Sequence, residues 1–399
     1  MTTVHSKALE KTLTVKRLIG QVKGKNAGPT LVFTAGIHGN EPSGVFALQQ
    51  VIDYINSRKI PLKGSLYAIA GNLRALQQGR RYLQEDLNRI WVEERINGLG
   101  TGDNLNTSAE TVQQAEIYHT ISEIVTCESG PFYFIDLHTT SSDTPPFITV
   151  NDNLLNRKFT LQYPVPLLLG IEEYLDGTLL NYINRLGYVA FGFESGQHDA
   201  LSSIENHYAF VCLTLVLAGA LSKNEIDFEK NYEVLYRTTS KLSHVYEIVY
   251  HHKLKKEETF SMHPGFQNFE AVRKGQCIAD SNRKPVKVPT NGQIFMPLYQ
   301  KQGEDGFFII QTVPKIFLKL SAILRQIRFD HLLPLLPGVS WISKKRDALR
   351  VNLKVAKFFA KKFFHLLGYR SRQIDADHLV IRNREAGSKK KSYNNEVWY

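Results

Sequence analysis

Between residues 30 and 222 the hydrophobic and polar positions alternate between short continuous apolar runs and longer stretches with helical spacing. This alternation is typical of an α/β fold, in which helices cover the faces of a sheet. The runs that predict buried strands are 30–36, 65–71, 131–137 and 188–193. The stretches that predict helices are 42–58, 109–125 and 204–222. We therefore expect residues 1–225 to form an α/β domain with a sheet flanked by helices.

Residues from about 245 to 313 have a different character. β-Branched and aromatic residues are concentrated in 244–254, 293–299 and 306–313, and Gly, Asn, Asp and Pro separate these runs. Such short runs are typical of strands joined by turns. We expect residues 226–313 to form a second, smaller β domain.

The remaining residues, 314–399, mix both patterns. Helical spacing extends over 348–369, whereas 377–385 has the pattern of a strand. The last stretch, 386–399, is polar and rich in Lys and Asn, which predicts disorder. The sequence thus predicts a basic α+β C-terminal extension with a disordered end.

Composition narrows the class of protein. The 43% hydrophobic content over 399 residues suits ordinary globular cores. The longest apolar runs, such as 211–221, are shorter than the ~20 residues of a spanning helix, and the N-terminus lacks the apolar core of a signal peptide. Cys127, Cys212 and Cys277 have no short spacing that indicates a disulfide framework or a thiolate zinc site. We expect a cytoplasmic protein without a membrane span.

The net charge of +11 is concentrated at one end of the chain. Residues 315–399 contain 19 Lys and Arg and 6 Asp and Glu, a net charge of +13, so the preceding residues carry −2. A nucleic-acid enzyme needs positive charge around its chemistry, because phosphate neutralisation dominates its affinity. The nearly neutral body therefore favours a small-molecule substrate over a nucleic acid.

Three side chains that follow predicted strands have the composition of a metal site. His38 follows the first apolar run, Glu41 lies at the entry to the next helix, and His138 follows the third run. The carboxyl ends of strands in open α/β sheets are where ligands gather. Two His and one carboxylate form a sufficient catalytic zinc set with a fourth position open. His244 and Glu247 repeat the spacing without a strand-to-helix corner, so spacing alone does not identify the site.

Glu194 and the arginine segment each have two interpretations, one functional and one structural. Glu194 directly follows the fourth run, where it would act as a general base beside an activated water or would cap a loop. Arg80, Arg81 and Arg89, with Asn88 beside them, would bind a carboxylate or an oxyanion, or would form surface salt bridges. The sequence alone does not decide between the two interpretations in either case.

Four motifs in order resemble one family. They are "GIHGNEPSG", "RRYLQEDLNR", "DLHTTSS" and "FESGQH", and together they resemble the succinylglutamate desuccinylase/aspartoacylase family, a branch of the zinc carboxypeptidase-like enzymes. The segments "HPGFQNFEAVRKGQCIAD" and "MPLYQKQGEDGFFII" are similar to the second domain of that family. The resemblance implies a mixed sheet flanked by helices, with the second domain narrowing the entrance to the site.

The resemblance also implies roles for individual residues. The metal ligands for one Zn²⁺ per chain would be His38, Glu41 and His138, and Glu194 would be the general base and acid. The remaining roles fall to the arginine segment: Arg81 would polarise the scissile carbonyl, and Asn88 and Arg89 would hold the α-carboxylate of the substrate. The implied activity is removal of an acyl group from an N-acyl amino acid.

One position departs from the family pattern. Aspartoacylases carry an arginine about ten residues before the catalytic glutamate, whereas this chain has Asn184 there and Arg185 one place later. The resemblance therefore does not imply aspartate specificity, and the segment "SGQHDA", which differs from aspartoacylases, leaves the acyl pocket open as well.

Other functions remain as alternatives. The same ligands would serve a zinc carboxypeptidase or a peptidoglycan-peptide amidase. A protein of a different class would bind RNA or a membrane surface through the basic C-terminal extension. The sequence leaves open whether the chain forms a homo-oligomer.

Overall fold

The computed structural model describes residues 1–101, 108–255, 257–342, 347–352, 367–373 and 378–399. The strands in these ranges are β1 (Thr2–Ser6), β2 (Lys11–Val15), β3 (Leu18–Lys23), β4 (Asn26–Ala35), β5 (Lys63–Ala70), β6 (Phe132–Thr140), β7 (Phe147–Val150), β8 (Leu167–Leu169), β9 (Val189–Gln197), β10 (Val245–Lys253), β11 (Phe260–Met262), β12 (Ala271–Val272), β13 (Cys277–Ser281), β14 (Lys284–Lys287), β15 (Gly292–Phe295), β16 (Asp305–Thr312), β17 (Val339–Trp341), β18 (Ala348–Asn352), β19 (Tyr369–Gln373) and β20 (His378–Asn383).

The helices in the same ranges are α1 (Ser43–Ser57), α2 (Leu73–Gln78), α3 (Glu93–Thr101), α4 (Ala109–Cys127), α5 (Leu154–Thr160), α6 (Leu179–Leu186), α7 (Leu201–Leu217), α8 (Phe228–Thr239) and α9 (Lys315–Gln326). Short 3₁₀ helices lie at Leu87–Arg89, Ile171–Glu173, Lys223–Glu225, Phe329–Leu335 and Lys390–Tyr393. None of the helices that the structure describes is both long and apolar enough to cross a bilayer.

A mixed sheet dominates the fold, as predicted. Eleven of the described strands form it in the order β12-β15-β16-β10-β8-β7-β9-β6-β4-β5-β3. The four runs predicted as buried strands are β4, β5, β6 and β9, which lie next to one another and run parallel. Parallel strands covered on both faces are apolar throughout, which is why these runs were recognisable.

Helices cover both faces of this sheet. Alternate residues of β4 belong to opposite cores: Leu31 and Phe33 pack with α1 and α7, whereas Val32 packs with α4 and α6. The three predicted helices correspond to α1, α4 and α7, with ends that differ by a few residues. The α/β prediction for this part of the chain is therefore confirmed.

The predicted second unit extends the main sheet. Strand β10 pairs in parallel with β8, and β16, β15 and β12 follow it by antiparallel pairing. Three other strands, β11, β13 and β14, form a separate small sheet. The boundaries at 225/226 and 313/314 stay predictions, but the strand pairing explains how residues 245–312 join the edge of the sheet formed by the α/β part.

The C-terminal extension (residues 314–399) contains α9 and a four-stranded sheet in the order β17-β18-β20-β19. Strand β20 confirms the strand predicted at 377–385. The helix predicted over 348–369 is wrong at its start, because Ala348–Asn352 pairs with both β17 and β20. A short apolar run with β-branched residues fits either element, and here the strand partners decide. Residues 353–366 lie outside the described residues.

The prediction of a disordered end is also wrong. Tyr393 is fully buried, and its hydroxyl accepts the Val189 N–H at 2.9 Å and donates to the Phe132 carbonyl. Trp398 donates its indole N–H to the Tyr133 hydroxyl at 3.0 Å. The polar composition of this stretch indicated disorder, but two aromatic anchors supply the apolar burial that a disordered segment lacks.

We expect Tyr393→Ala to lower the free energy of unfolding by about 3–5 kcal/mol, because it removes a buried ring and two hydrogen bonds to the sheet. Urea unfolding of the full chain measures this. Tyr236→Ala serves as the control, since Tyr236 is 44% exposed and its removal should cost little. A loss for Tyr393→Ala as small as that of the control would show that the C-terminal stretch does not anchor the fold.

Candidate active site

The turn after β4 brings His38 and Glu41 together. Strand β4 ends at Ala35, Gly36 has a φ of +72°, and the Glu41 N–H donates to the His38 carbonyl at 3.1 Å. A side chain at position 39 would not fit, because a Cβ on Gly39 would lie 2.1 Å from the Ala75 carbonyl carbon. The glycines therefore allow the close packing that places Glu41 two residues before α1.

Three buried side chains at this corner face one another. His38 Nδ1 lies 2.8 Å from Glu41 Oε1, and His138 Nδ1 lies 3.1 Å from Glu41 Oε2. One ligand atom from each residue lies within 4.8 Å of the others, and among the described residues this is the group that could hold a metal ion. Two imidazole nitrogens and one carboxylate oxygen are ligands that zinc prefers. The residues therefore fit a zinc ion.

Carboxylates fix the far side of both imidazole rings. His38 Nε2 lies 3.1 Å from Asp86 Oδ1, and His138 Nε2 lies 2.8 Å from Asp136 Oδ2. Thr34 donates to the other oxygen of Asp136 at 2.6 Å. Such partners set the tautomer and the orientation of a metal-binding histidine. Nδ1 of each ring is thereby directed to Glu41.

Asp136 is a site residue that sequence reasoning missed. It precedes His138 by two residues on β6, so both side chains lie on the same face of the strand. The signal available in the sequence was an aspartate two residues before a predicted metal-binding histidine.

Arg81 lies beside the three predicted ligands. Its Nε and Nη2 donate to Asp86 Oδ2 at 3.2 and 3.0 Å, and Nη1 lies 3.7 Å from Glu41 Oε1. Burial raises the pKa of Asp86, but Arg81 and His38 bring it well below its ordinary value. The neighbouring Arg80 is exposed and does not line the cavity. The surface salt-bridge interpretation therefore does not apply to Arg81.

Asn88 and Arg89 lie on the 3₁₀ helix Leu87–Arg89. The Leu179 N–H donates to Asn88 Oδ1 at 3.0 Å, which leaves the Nδ2 end of the amide as a donor. Arg89 Nη1 donates to the Asn88 carbonyl at 2.9 Å, and Nη2 donates to Asp305 Oδ2 at 2.9 Å. Asp305 belongs to β16 and lies in the segment "MPLYQKQGEDGFFII", for which the resemblance implied a place near the entrance but no role for this residue.

Glu194 lies inside β9, opposite His138 in the strand register, rather than in the loop that follows. It is buried, and its Oε2 atom has no hydrogen-bond partner among the described residues. Burial raises the pKa of Glu194 to about 7. A carboxyl group with this pKa can take up and release a proton near neutral pH.

All seven predicted site residues line one cavity. They are His38, Glu41, Arg81, Asn88, Arg89, His138 and Glu194. Residues of the second unit form another part of its wall: Met296, Pro297, Leu298, Gln300, Gly303, Asp305 and Phe308. The cavity therefore lies between the ends of the parallel strands and the second unit, which contributes the segment joining β15 to β16 and part of β16 itself.

The position that departs from aspartoacylases also lines the cavity. Asn184 accepts a hydrogen bond from Asn156 at 2.8 Å and donates to the Leu180 carbonyl at 2.8 Å. Arg185 is not among the lining residues, and its Nη2 donates to the Trp91 carbonyl at 3.0 Å. Arg185 therefore does not replace the missing arginine.

His198, the last residue of the fourth motif, lies on another wall. Its Nδ1 is 2.7 Å from Thr139 Oγ1, and its Nε2 is 3.3 Å from Gln300 Oε1. Burial lowers its pKa. Gln300, like Asp305, comes from the second unit, and the resemblance implied no role for either residue.

Comparisons with known proteins agree with the motifs. The family model "Succinylglutamate desuccinylase/Aspartoacylase catalytic domain" matches residues 27–205. A succinylglutamate desuccinylase from Serratia proteamaculans is 31% identical over 114 residues, which are 29% of this chain and 33% of that protein. Another from Photorhabdus laumondii is 32% identical over 125 residues, 31% of this chain and 37% of that protein. The aligned part thus spans about a third of these relatives.

The fold has a counterpart among solved structures. The crystal structure of succinylglutamate desuccinylase from Vibrio cholerae has a TM-score of 0.52 and 17% identity, covering 78% of this chain and 90% of that one. At this identity the likeness concerns the fold alone. The resemblance carried by the four motifs is confirmed: residues 27–205 are similar to the catalytic domain of the succinylglutamate desuccinylase/aspartoacylase family.

Proposed function

We propose that the protein is a zinc-dependent amidohydrolase that removes an acyl group from an N-acyl amino acid. One observation carries the proposal: His38, Glu41 and His138 face a cavity that also contains a buried carboxyl group and two arginines. The match of residues 27–205 to the model of that family's catalytic domain supports a hydrolase of this kind.

Each group has a part in this reaction. His38, Glu41 and His138 would hold zinc, which when bound polarises a carbonyl group and lowers the pKa of a water molecule. Glu194 accepts a proton from the attacking water and delivers it to the leaving nitrogen, for which a pKa of about 7 is suitable. Arg81 Nη1, the part of its guanidinium not held by Asp86, donates to the carbonyl oxygen.

Substrate orientation depends on a separate pair. Asn88 Nδ2 and the remaining N–H groups of Arg89 bind the α-carboxylate of the substrate. Residues of the second unit line the same cavity, and Asp305 among them contacts Arg89, which supports a small substrate over a long peptide. Zinc carboxypeptidase and peptidoglycan-peptide amidase activity remain the alternatives in the same mechanistic class.

A substrate panel tests the proposal. The purified, zinc-loaded full chain is incubated with N-acetyl, N-succinyl and N-formyl amino acids, and with peptides that have a free C-terminus. We expect amine release from one of the N-acyl amino acid series. Hydrolysis of the peptides alone would favour the carboxypeptidase alternative. RNA or lipid binding by a metal-free, inactive protein, lost when charges in residues 315–399 are reversed, would favour the alternative of a different class.

Substitution of the two arginines should change different kinetic constants. A carboxylate is bound in both the ground state and the transition state, so Arg89→Ala should mainly raise KM, by ~10²-fold. The contact of Arg81 with the carbonyl oxygen strengthens as negative charge develops, so Arg81→Ala should mainly lower kcat, by ~10²-fold. Steady-state kinetics on the best substrate of the panel measures both.

Arg80→Ala is the matched control, because Arg80 is an exposed neighbour outside the cavity and its loss should leave both constants unchanged. Converting the α-carboxylate of the substrate to an amide should harm the wild type strongly and the Arg89→Ala variant hardly further. Equal hydrolysis of acid and amide by the wild type would contradict the role of Arg89.

A further inference from the structure

Helix α9, the first element of the C-terminal extension, turns its apolar side to solvent. Ile316, Leu320, Ile323 and Ile327 follow one another at spacings of four and three residues, so they form one stripe along the helix. These four side chains are between 42% and 71% exposed. A helix on a globular protein normally buries such a stripe in the core, so the orientation of α9 needs an explanation.

The side of α9 that faces the protein carries its polar residues. Ser321 and Arg325 are buried there, and Arg325 Nη2 donates to Asp152 Oδ2 at 2.7 Å. Leu318 lies on the same side and packs against the main core. Turning the apolar stripe inward would break the buried contact between Arg325 and Asp152, which is costly. The sequence of the helix therefore fixes its apolar stripe on the outside.

Further apolar side chains enlarge this exposed area. Phe317 is 53% exposed on α9 itself, and the 3₁₀ helix Phe329–Leu335, which contacts α9, adds the exposed Leu332 and Leu335. Single exposed apolar residues are normal on a protein surface, but a group of this size marks an interaction site. We call the exposed apolar residues of α9 the α9 surface: Ile316, Phe317, Leu320, Ile323 and Ile327.

The charges next to the α9 surface are positive. Lys315 and Lys319 are exposed and, one helical turn apart, lie along one edge of the stripe. Arg328, just after the helix, is also exposed, and the sequence from 315 to 329 contains no Asp or Glu. An apolar helix face edged by cations is complementary to a lipid surface with anionic headgroups, because the apolar side chains enter the lipid boundary and the cations contact the headgroups.

Other occupants fit this surface less well. A twofold dimer would place the face against its own copy, where Lys315 and Lys319 would meet further cations and no acidic residue of 315–329. RNA recognition uses aromatic stacking and hydrogen bonds to bases, which aliphatic side chains do not supply. We infer that the α9 surface binds the surface of a bilayer that contains anionic phospholipids. With 12 residues, α9 would lie on such a bilayer and not cross it.

Cosedimentation with vesicles tests the inference. The zinc-loaded full chain is mixed with vesicles of phosphatidylcholine and phosphatidylglycerol in equal amounts, or of phosphatidylcholine alone. We expect binding to the anionic vesicles, and the double variant Ile316→Ser/Ile323→Ser should weaken it at least ~10-fold, because two apolar side chains no longer enter the lipid. Both side chains are exposed, so the variant should keep its fold, which circular dichroism and urea unfolding verify.

Two further variants separate the apolar and the charged contributions. Val112→Ser/Leu201→Ser is the matched control, since these two exposed apolar residues lie on α4 and α7, and it should bind vesicles like the wild type. Lys315→Gln/Lys319→Gln should weaken binding to the anionic vesicles by ~10-fold and change little with phosphatidylcholine alone. Added salt should weaken the binding of the wild type in the same way.

Four results would overturn the inference. The wild type would sediment with neither kind of vesicle, or the Ile316→Ser/Ile323→Ser variant would bind as tightly as the control. Light scattering would show a dimer that this variant dissociates, so that a second copy covers the α9 surface. Single-stranded RNA would bind in place of the vesicles. Vesicle binding is measured without substrate, so its outcome is independent of the proposed hydrolysis.

Discussion

Replacing His38 or His138 by alanine is expected to remove most of the bound zinc and, with it, the hydrolytic activity. Each ring directs Nδ1 to Glu41, so each substitution deletes one of the three predicted ligands. Loss of a supporting residue behind a ligand already weakens metal binding by ~10–100-fold, and loss of the ligand itself should exceed that. Elemental analysis after dialysis, together with turnover of the best N-acyl amino acid, measures the effect.

The chain contains a matched control for this experiment. His244 is followed by Glu247 with the same spacing as His38 and Glu41, but this pair is not part of the group that could hold a metal. His244→Ala should therefore retain zinc and activity. Full zinc occupancy in both His38→Ala and His138→Ala, with the fold intact by circular dichroism, would refute the ligand assignment.

The proximity of these residues could be predicted because the signal is local. His38 follows β4, His138 ends the apolar part of β6, and Glu194 lies on β9, three strands that run parallel and side by side. Runs of buried apolar residues identify such strands, and their carboxyl ends share one edge of the sheet. The family resemblance of the four motifs then implied the roles of these residues.

Asp305 and Gln300 could not be predicted in this way. Both reach the cavity because β10 pairs with β8 and β16 follows β10 in the sheet. The sequence indicated strands in this region but contained no information on which edge of which sheet they would join. The sequence thus suggested a separate domain, whereas the strands extend the catalytic sheet.

The C-terminal extension illustrates a second limit. Its charge suggested a role in binding polyanions, yet Arg325 and Arg384 are almost fully buried and contact Asp152, Glu172 and Glu173. Counting charges along the chain does not distinguish a solvated arginine from one that joins two parts of the fold. Burial of these groups links the extension to the wall of the cavity.

Glu194→Gln should lower kcat by at least ~10²-fold while zinc content and stability stay close to those of the wild type. Glutamine has nearly the same shape, so the cavity should be preserved, but it cannot accept a proton from water. The buried Oε2 atom has no partner among the described residues, so the substitution breaks no known hydrogen bond at that atom. Kinetics, elemental analysis and urea unfolding measure the three quantities.

The physical reason for so large an effect is the environment of Glu194. Burial raises its pKa to about 7, so the group can exchange a proton in both directions near neutral pH. Its position opposite His138 in the strand register brings it to the predicted metal ligands without making it one of them. Glu173→Gln, which removes a buried carboxylate outside the cavity, is the control and should leave kcat within a few-fold of the wild type. If Glu194→Gln with full zinc content also stayed within that range, another group would move the proton and Glu194 would serve only the structure of the cavity.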